Sequence, residues 1–259
     1  MSHPTLRRIV HTLLLAAGLL ALTAPAGVGV AGPLSWIGGE RVQGSGKIVK
    51  QSRELGHFQG LATNVSGNVE VRLGSTESVT IETDDNLLPL IDTVVENGTL
   101  RIRPARKNLS LDTRTMKIVV QARALERVSV AGSGSVEADE LRGEHLQFDV
   151  GGSGSLTARK LETESVHVKL GGSGNLNLGG KAERLQVSVG GSGNVQAAQL
   201  AARSAVVTIG GSGQVTVSAA NSLNASVAGS GDIGYYGDPK ISKSMAGSGT
   251  IKRLGAAAQ

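Results

Sequence analysis

The stretch Ser188–Ala197, SVGGSGNVQA, holds the residues of an anion-binding loop: three glycines whose amides could converge on a phosphate, with a serine among them. Such a loop needs a helix start behind it and usually a lysine or a downstream acid, because the amides and the helix dipole hold the charge together. Here Asn194-Val195-Gln196-Ala197 resumes strand-like alternation, so phosphate binding is not expected. Glycan cleavage is the second chemistry to weigh, and it needs two carboxylates at a hydrolase spacing or acids with a basic partner. Asp139, Glu140, Glu144, Asp149, Glu162, Glu164, Glu183, Asp232 and Asp238 scatter along the second half instead of repeating on one row. Asp149 and Lys169 read as an exposed cross-strand pair of little energetic weight. Metal binding finds no ligand spacing, since His57, His145 and His167 are far apart in sequence. Asp84-Asp85-Asn86 resembles a fragment of a calcium loop but lacks its glycine and terminal glutamate, and reads as a turn. Of the one aromatic pair, Tyr235 falls on an inward row, which leaves Tyr236 to stack on a sugar. No catalytic residue, metal ligand or cofactor site is assigned.

The elements around the glycine phrase explain it better. The phrase returns seven times, with central serines at Ser133, Ser153, Ser173, Ser192, Ser212, Ser230 and Ser248, in steps of 20, 20, 19, 20, 18 and 18. A loop that does chemistry once has no reason to recur at near-constant spacing; this is a repeat array. Before each turn stand the rows Val128, Phe148, Val168, Val187, Val207, Ala225 and Val130, Val150, Leu170, Val189, Ile209, Val227, Met245, and after it Val136, Leu156, Leu176, Val195, Val215, Ile233, Ile251. Period-2 alternation turns these rows inward and the residues between them outward. One repeat of about 20 residues cannot bury such a face alone and must stack on its neighbours. The expected fold is therefore all-β, a right-handed parallel β-helix-like stack, with coils roughly 4.8 Å apart and about 29 Å between the first and last serine. The serines then form a structural turn ladder, each hydroxyl able to bond those above and below. A meander of hairpins is the competing fold; it pairs strands antiparallel and gives serine no reason to recur. A sugar or ion bound along the serine column is the competing use of that ladder.

Upstream, from Gly44 to about Arg127, strands are less regular: Asn68–Leu73, Ser78–Thr83, Thr99–Pro104 and Met116–Ala122 alternate, and Asn97-Gly98 marks a hairpin. In DDNLLPLIDT a short helical turn is expected, stopped by Pro89. Arg7 and Arg8, the apolar run Leu13–Leu22 and Ala24-Pro25-Ala26 read as a secretory signal peptide over 1–26. The alternative is an uncleaved anchor, the one route by which a membrane would be a partner. Residues 27–43, with Trp36, read as a linker, and 44–259 as one β-rich domain with regular repeats over 127–256. With no cysteine among 259 residues there is no disulfide framework or thiolate site. The net charge of +5 falls to +3 without Arg7 and Arg8, 24 basic against 21 acidic residues, and five aromatic residues offer no stacking platform. Nucleic acid is not an expected partner.

The pieces SGNVEVRLG, VTIETDDNLLPLI, VENGTLRIRP and the serial GGSGN turns, over about His57 to Lys240, resemble the putative auto-transporter adhesin head GIN domain family of bacterial exported proteins. The resemblance implies a β-helical domain of the periplasm, cell envelope or exterior, an adhesive role toward an envelope glycan or protein, and no catalytic residues. No barrel follows Gln259, so self-translocation is not expected. A non-catalytic adhesin or scaffold is thus the leading reading, against a glycan-active lyase or hydrolase and a small-ligand or ion binder. In the last repeat Lys243 takes the place of Val187, Val207 and Ala225, and Arg253 that of Ala197, Val217 and Tyr235. Charges on an end coil block edge pairing, so both read as a C-terminal cap, with a basic docking site for an acidic polymer as the competing reading.

Overall fold

The structure is a computed structural model that describes residues 39–257. The signal peptide expected over 1–26 and Trp36 lie outside the described residues. Strands follow one another in the order β1 (Glu40–Gln43), β2 (Ile48–Glu54), β3 (Gly60–Thr63), β4 (Asn68–Leu73), β5 (Ser78–Asp84), β6 (Ile91–Glu96), β7 (Thr99–Pro104), β8 (Leu109–Asp112) and β9 (Lys117–Ala122). The regular half continues with β10 (Arg127–Gly132), β11 (Ser135–Gly152), β12 (Ser155–Gly172), β13 (Asn175–Gly191), β14 (Asn194–Gly211), β15 (Gln214–Gly229), β16 (Asp232–Tyr236), β17 (Lys240–Gly247) and β18 (Thr250–Gly255).

Every pairing from β10 to β18 is parallel, so the chain coils instead of reversing. The inward rows stack in register as read from the sequence: Val128 beside Phe148, then Val168, Val187, Val207 and Ala225. All of these are buried, as are Val150, Leu170, Val189 and Ile209 in the next column and Leu156, Leu176, Val195 and Val215 across the turn. A further column, Leu146, Val166, Leu185, Ala205 and Leu223, closes the interior from the remaining side. Burying such side chains contributes roughly 1.5–3 kcal/mol each, which lets an aliphatic core do without aromatic bulk or disulfides.

The steps of 18 to 20 residues have a structural explanation. The turn and its two flanking faces keep register from coil to coil, while the shifts fall between Ala158 and Leu161, Asn177 and Gly179, Ala197 and Ala201, and Ala202 and Ser204. One stretch of the coil absorbs the change in length, and the columns on either side stay aligned.

The irregular half belongs to the same stack. β3 lies parallel between β10 and β7, and β4 lies parallel between β11 and β9, so strands distant in sequence assemble the first coils. Antiparallel strands then close that end: β5 on β9, β2 on β5 and β6 on β7. The expected hairpin joins β6 to β7, with Asn97 and Gly98 at φ 51° and 69°, as a tight turn of mirror-image type requires. Leu88–Leu90 forms a 3-10 turn, but Pro89 lies in its first residues and does not stop it. A missing amide is harmless in a first turn. Glu40–Gln43, inside the stretch read as linker, pairs in parallel with β8.

Candidate functional site

In each Gly-Gly-Ser-Gly turn the three glycines do different things. The second lies at positive φ in every copy, from 86° at Gly132 to 149° at Gly191, a region that disfavours any side chain. The last sits where coils touch: a Cβ on Gly174 would stand 2.5 Å from the Gly154 carbonyl oxygen. The first has neither reason. Gly151, Gly171 and Gly190 would carry a Cβ into open space, Gly210 has one contact at 3.9 Å, and the same column holds Ala131, Ala228 and Ala246 elsewhere.

The serines form one column, but amides make its ladder. The amides of Ser153, Ser173, Ser192, Ser212, Ser230 and Ser248 each donate to a glycine carbonyl of the preceding coil at 2.9–3.0 Å. The expected hydroxyl ladder appears at its start alone among the described residues, where the Ser133 hydroxyl donates to that of Ser66 at 3.2 Å. Parallel coils already give each turn amide a carbonyl partner, which leaves the hydroxyls turned to solvent. The outward row on the other side of the bare column runs Ser129, Asp149, Lys169, Ser188, Thr208, Ser226 and Ser244. Asp149 stands beside Lys169 in register, but its carboxylate accepts from Gln147 Nε2 at 2.7 Å.

Most of the scattered acids prove to be partners of arginines, most of those one coil away. Arg159 meets Asp139 at 2.7 Å and Glu137 at 3.3 Å, Arg142 meets Glu140 at 2.6 Å and Glu162 at 3.6 Å, Arg184 meets Glu164 at 3.6 Å, and Arg203 meets Glu183 at 3.0 Å. These pairs are exposed and contribute about 0–1 kcal/mol each. Asp232 accepts from the amide and hydroxyl of Thr250, and Asp238 lies 3.8 Å from Arg253. A shallow groove of about 540 Å³ opens on the stretch that absorbs coil length, with Glu162, Lys181, Glu183 and Arg203 on its walls and Ala201, Ala202 and Ala220 between them. Among the described residues no three His, Cys, Asp or Glu side chains group as a metal site. His57 pairs with Glu77 and His145 with Ser165, both at 2.7 Å, while His167 lies on an outward row.

Asp84-Asp85-Asn86 is a clasp on the loop between β1 and β2, which the sequence did not signal. Buried Asp84 accepts from the Gly46 amide and the Thr113 hydroxyl, Asp85 from the Ser45 hydroxyl at 2.6 Å, and Asn86 from the Ser45 amide at 2.9 Å. The Ser45 hydroxyl holds the Asp85 carboxyl below the usual aspartate range, with Lys47 adding to the effect. Tyr235 is buried and Tyr236 half-buried, as their alternate faces require.

A stack of parallel coils that fills its interior with aliphatic columns and carries its polar groups on outer rows defines a β-solenoid. Residues 57–239 match the family described as "Putative auto-transporter adhesin, head GIN domain", and the chain belongs to that family. It is similar to the crystal structure of a putative adhesin from Bacteroides fragilis, at 27% identity and TM-score 0.78, over 82% of this chain and 100% of that one. A putative lipid binding protein from Parabacteroides distasonis is similar at 26% identity and TM-score 0.71, over 83% and 100%. A putative adhesin from Parabacteroides merdae, at 21% identity and TM-score 0.66 over 83% and 99%, shares the fold. Among curated proteins none matches. No helix of the described residues is long and apolar enough to cross a membrane.

Proposed function

We propose that the protein is an exported, non-catalytic binding module of the cell envelope that holds an extended partner, a glycan in the first instance, along the flank carrying the bare column. The carrying observation is that flank's make-up: exposed hydroxyls of the turn serines on one side, Ser188, Thr208 and Ser226 on the other, and a floor of backbone between them. A strand glycine costs roughly 0.5–1 kcal/mol relative to alanine. At Gly171 and Gly190 neither backbone conformation nor packing explains that cost. Glycine inside a strand often marks the close approach of a ligand or another backbone. Hydroxyl rows repeating at the coil spacing suit a linear, polyhydroxylated chain lying flat. Family membership and the names of the similar structures support a binding role over a catalytic one. The lipid-binding name of one similar structure supports a second reading, a lipid surface as the partner.

The test is retention of the protein on immobilised envelope polysaccharides and on vesicles, with released products assayed in parallel. Saturable retention on a polysaccharide without new chain ends is expected. The double variant Gly171→Leu, Gly190→Leu should keep its melting temperature within a few degrees and lose at least about tenfold in affinity, roughly 1.4 kcal/mol. Product release would replace this reading with an enzymatic one, retention on vesicles alone would favour the lipid reading, and unchanged affinity in the variant would move the binding surface elsewhere.

A further inference from the structure

The stack ends differently at its two ends. At the first, Val79 and Ile81 of β5 are fully buried, and the antiparallel strands β2 and β6 lie outside the parallel coils. At the other, β17 pairs β15 on one side and β18 pairs β16 on one side, and no described strand follows. Met245 continues the column of Val189, Ile209 and Val227, which are at most 3% exposed, yet it is 49% exposed itself. The free face therefore has the spacing of an interior coil contact. Lys243 and Arg253 stand in that face's inward columns, beside Ala225 and Tyr235. Each side chain reaches a neighbouring segment of the end coil. The Lys243 ammonium donates to the Ile251 carbonyl at 3.3 Å and lies 5.7 Å from the centre of the Tyr235 ring, while Arg253 donates to the Gly237 carbonyl at 2.7 Å.

We infer that the open face of the last coil matches the same face of a second copy of this chain, and that Lys243 and Arg253 keep the two apart. The partner is a second copy because the free face repeats the coil-to-coil contact inside the stack. Every other parallel coil is already covered, and at the opposite end the outermost strands β2 and β6 run antiparallel and do not repeat a coil, so the matching face on another molecule is its own last coil. A two-fold axis across the joint reverses the coil direction, so edge strands meet antiparallel and the same patch of each copy faces the other. Closing the joint would bury two lysines and two arginines in apolar columns and oppose like charges, at a desolvation cost that edge pairing does not repay. Lys240 and Lys252 add to the repulsion: after Asp238 the sequence has four basic residues and no acid.

Sedimentation of the full chain over a wide concentration range tests this inference. The unaltered chain should sediment as a monomer, and Lys243→Val with Arg253→Ala should shift toward twice the mass as concentration rises. Lys243→Glu with Arg253→Glu should stay monomeric, because charge of either sign blocks the joint. Should the neutral double variant not fold, Lys243→Met with Arg253→Met, which keeps both side-chain stems, must show the same rise. A folded neutral variant that stays monomeric overturns the inference, as does an acidic variant that associates like the neutral one, or an unaltered chain that already dimerises through this edge. A neutral variant that stays monomeric and instead loses salt-sensitive binding to acidic polysaccharide overturns it too, and makes this end a docking surface for an acidic polymer.

Discussion

At the scale of single residues, the turn glycines differ in what the fold asks of them. Gly172 lies at φ 131°, and a Cβ there would stand 2.4 Å from the Gly152 carbonyl oxygen. Gly172→Ala should therefore destabilise by about 1–3 kcal/mol, the usual cost of a side chain held in a sparsely populated backbone region. Its neighbour Gly171 meets nothing within 4 Å, so Gly171→Ala should be neutral or stabilise by up to about 1 kcal/mol. Chemical denaturation of the two variants decides the matter; equal losses would mean that the first glycine has a structural duty after all. Within a Gly-Gly-Ser-Gly turn the adjacent glycines look alike, and the sequence marks the division only through Ala131, Ala228 and Ala246 in the first position. Inward and outward assignments were legible, down to Tyr235 against Tyr236, because alternation is a property of the strand itself. The hydrogen bonding of the serines was legible only as a column: composition says which groups align, but coil geometry decided that amides and not hydroxyls make the ladder.

At the scale of elements, the repeat carried the reading. Seven copies at near-constant spacing gave the coil, its columns and even the places of Lys243 and Arg253, all of which the register reproduces. The first half offered strands but no period, so its strands were found while their partners were not. Nothing in the sequence of β3 or β4 says that they pair with β10 and β11, strands about 67 residues away. The clasp of Asp84, Asp85 and Asn86 on Ser45 and Gly46 was hidden for the same reason, being a contact between segments some 40 residues apart. Stacked coils lead to a prediction that a hairpin meander does not share. Gly171 pairs with Gly190, so removing residues 171–189 takes out one coil and joins Leu170 to an equivalent turn. The shortened protein should keep a cooperative thermal transition and a β-rich far-ultraviolet spectrum, because each coil contacts only its neighbours. A collapse to an unfolded or aggregated chain would count against coil-by-coil stacking.

At the scale of the whole molecule, the regular half presents a flank whose length is set by the number of coils, roughly 29 Å over six steps of about 4.8 Å. A binding surface built this way differs from a pocket in how it responds to the size of its ligand. Each added unit of a linear partner meets another coil, so affinity should climb with ligand length until the ligand spans the stack. The exposed ion pairs and the shallow groove do not change this expectation, since neither repeats along the axis from end to end. The most direct measurement is calorimetric titration of the protein with a length series of oligosaccharides cut from the polysaccharide that retains it. Affinity should rise with length and level off near fragments spanning roughly 29 Å, with no shortening of the fragments during the titration. A plateau already reached at one or two sugar units, or fragments that grow shorter in the cell, would contradict a non-catalytic flank that binds along its length.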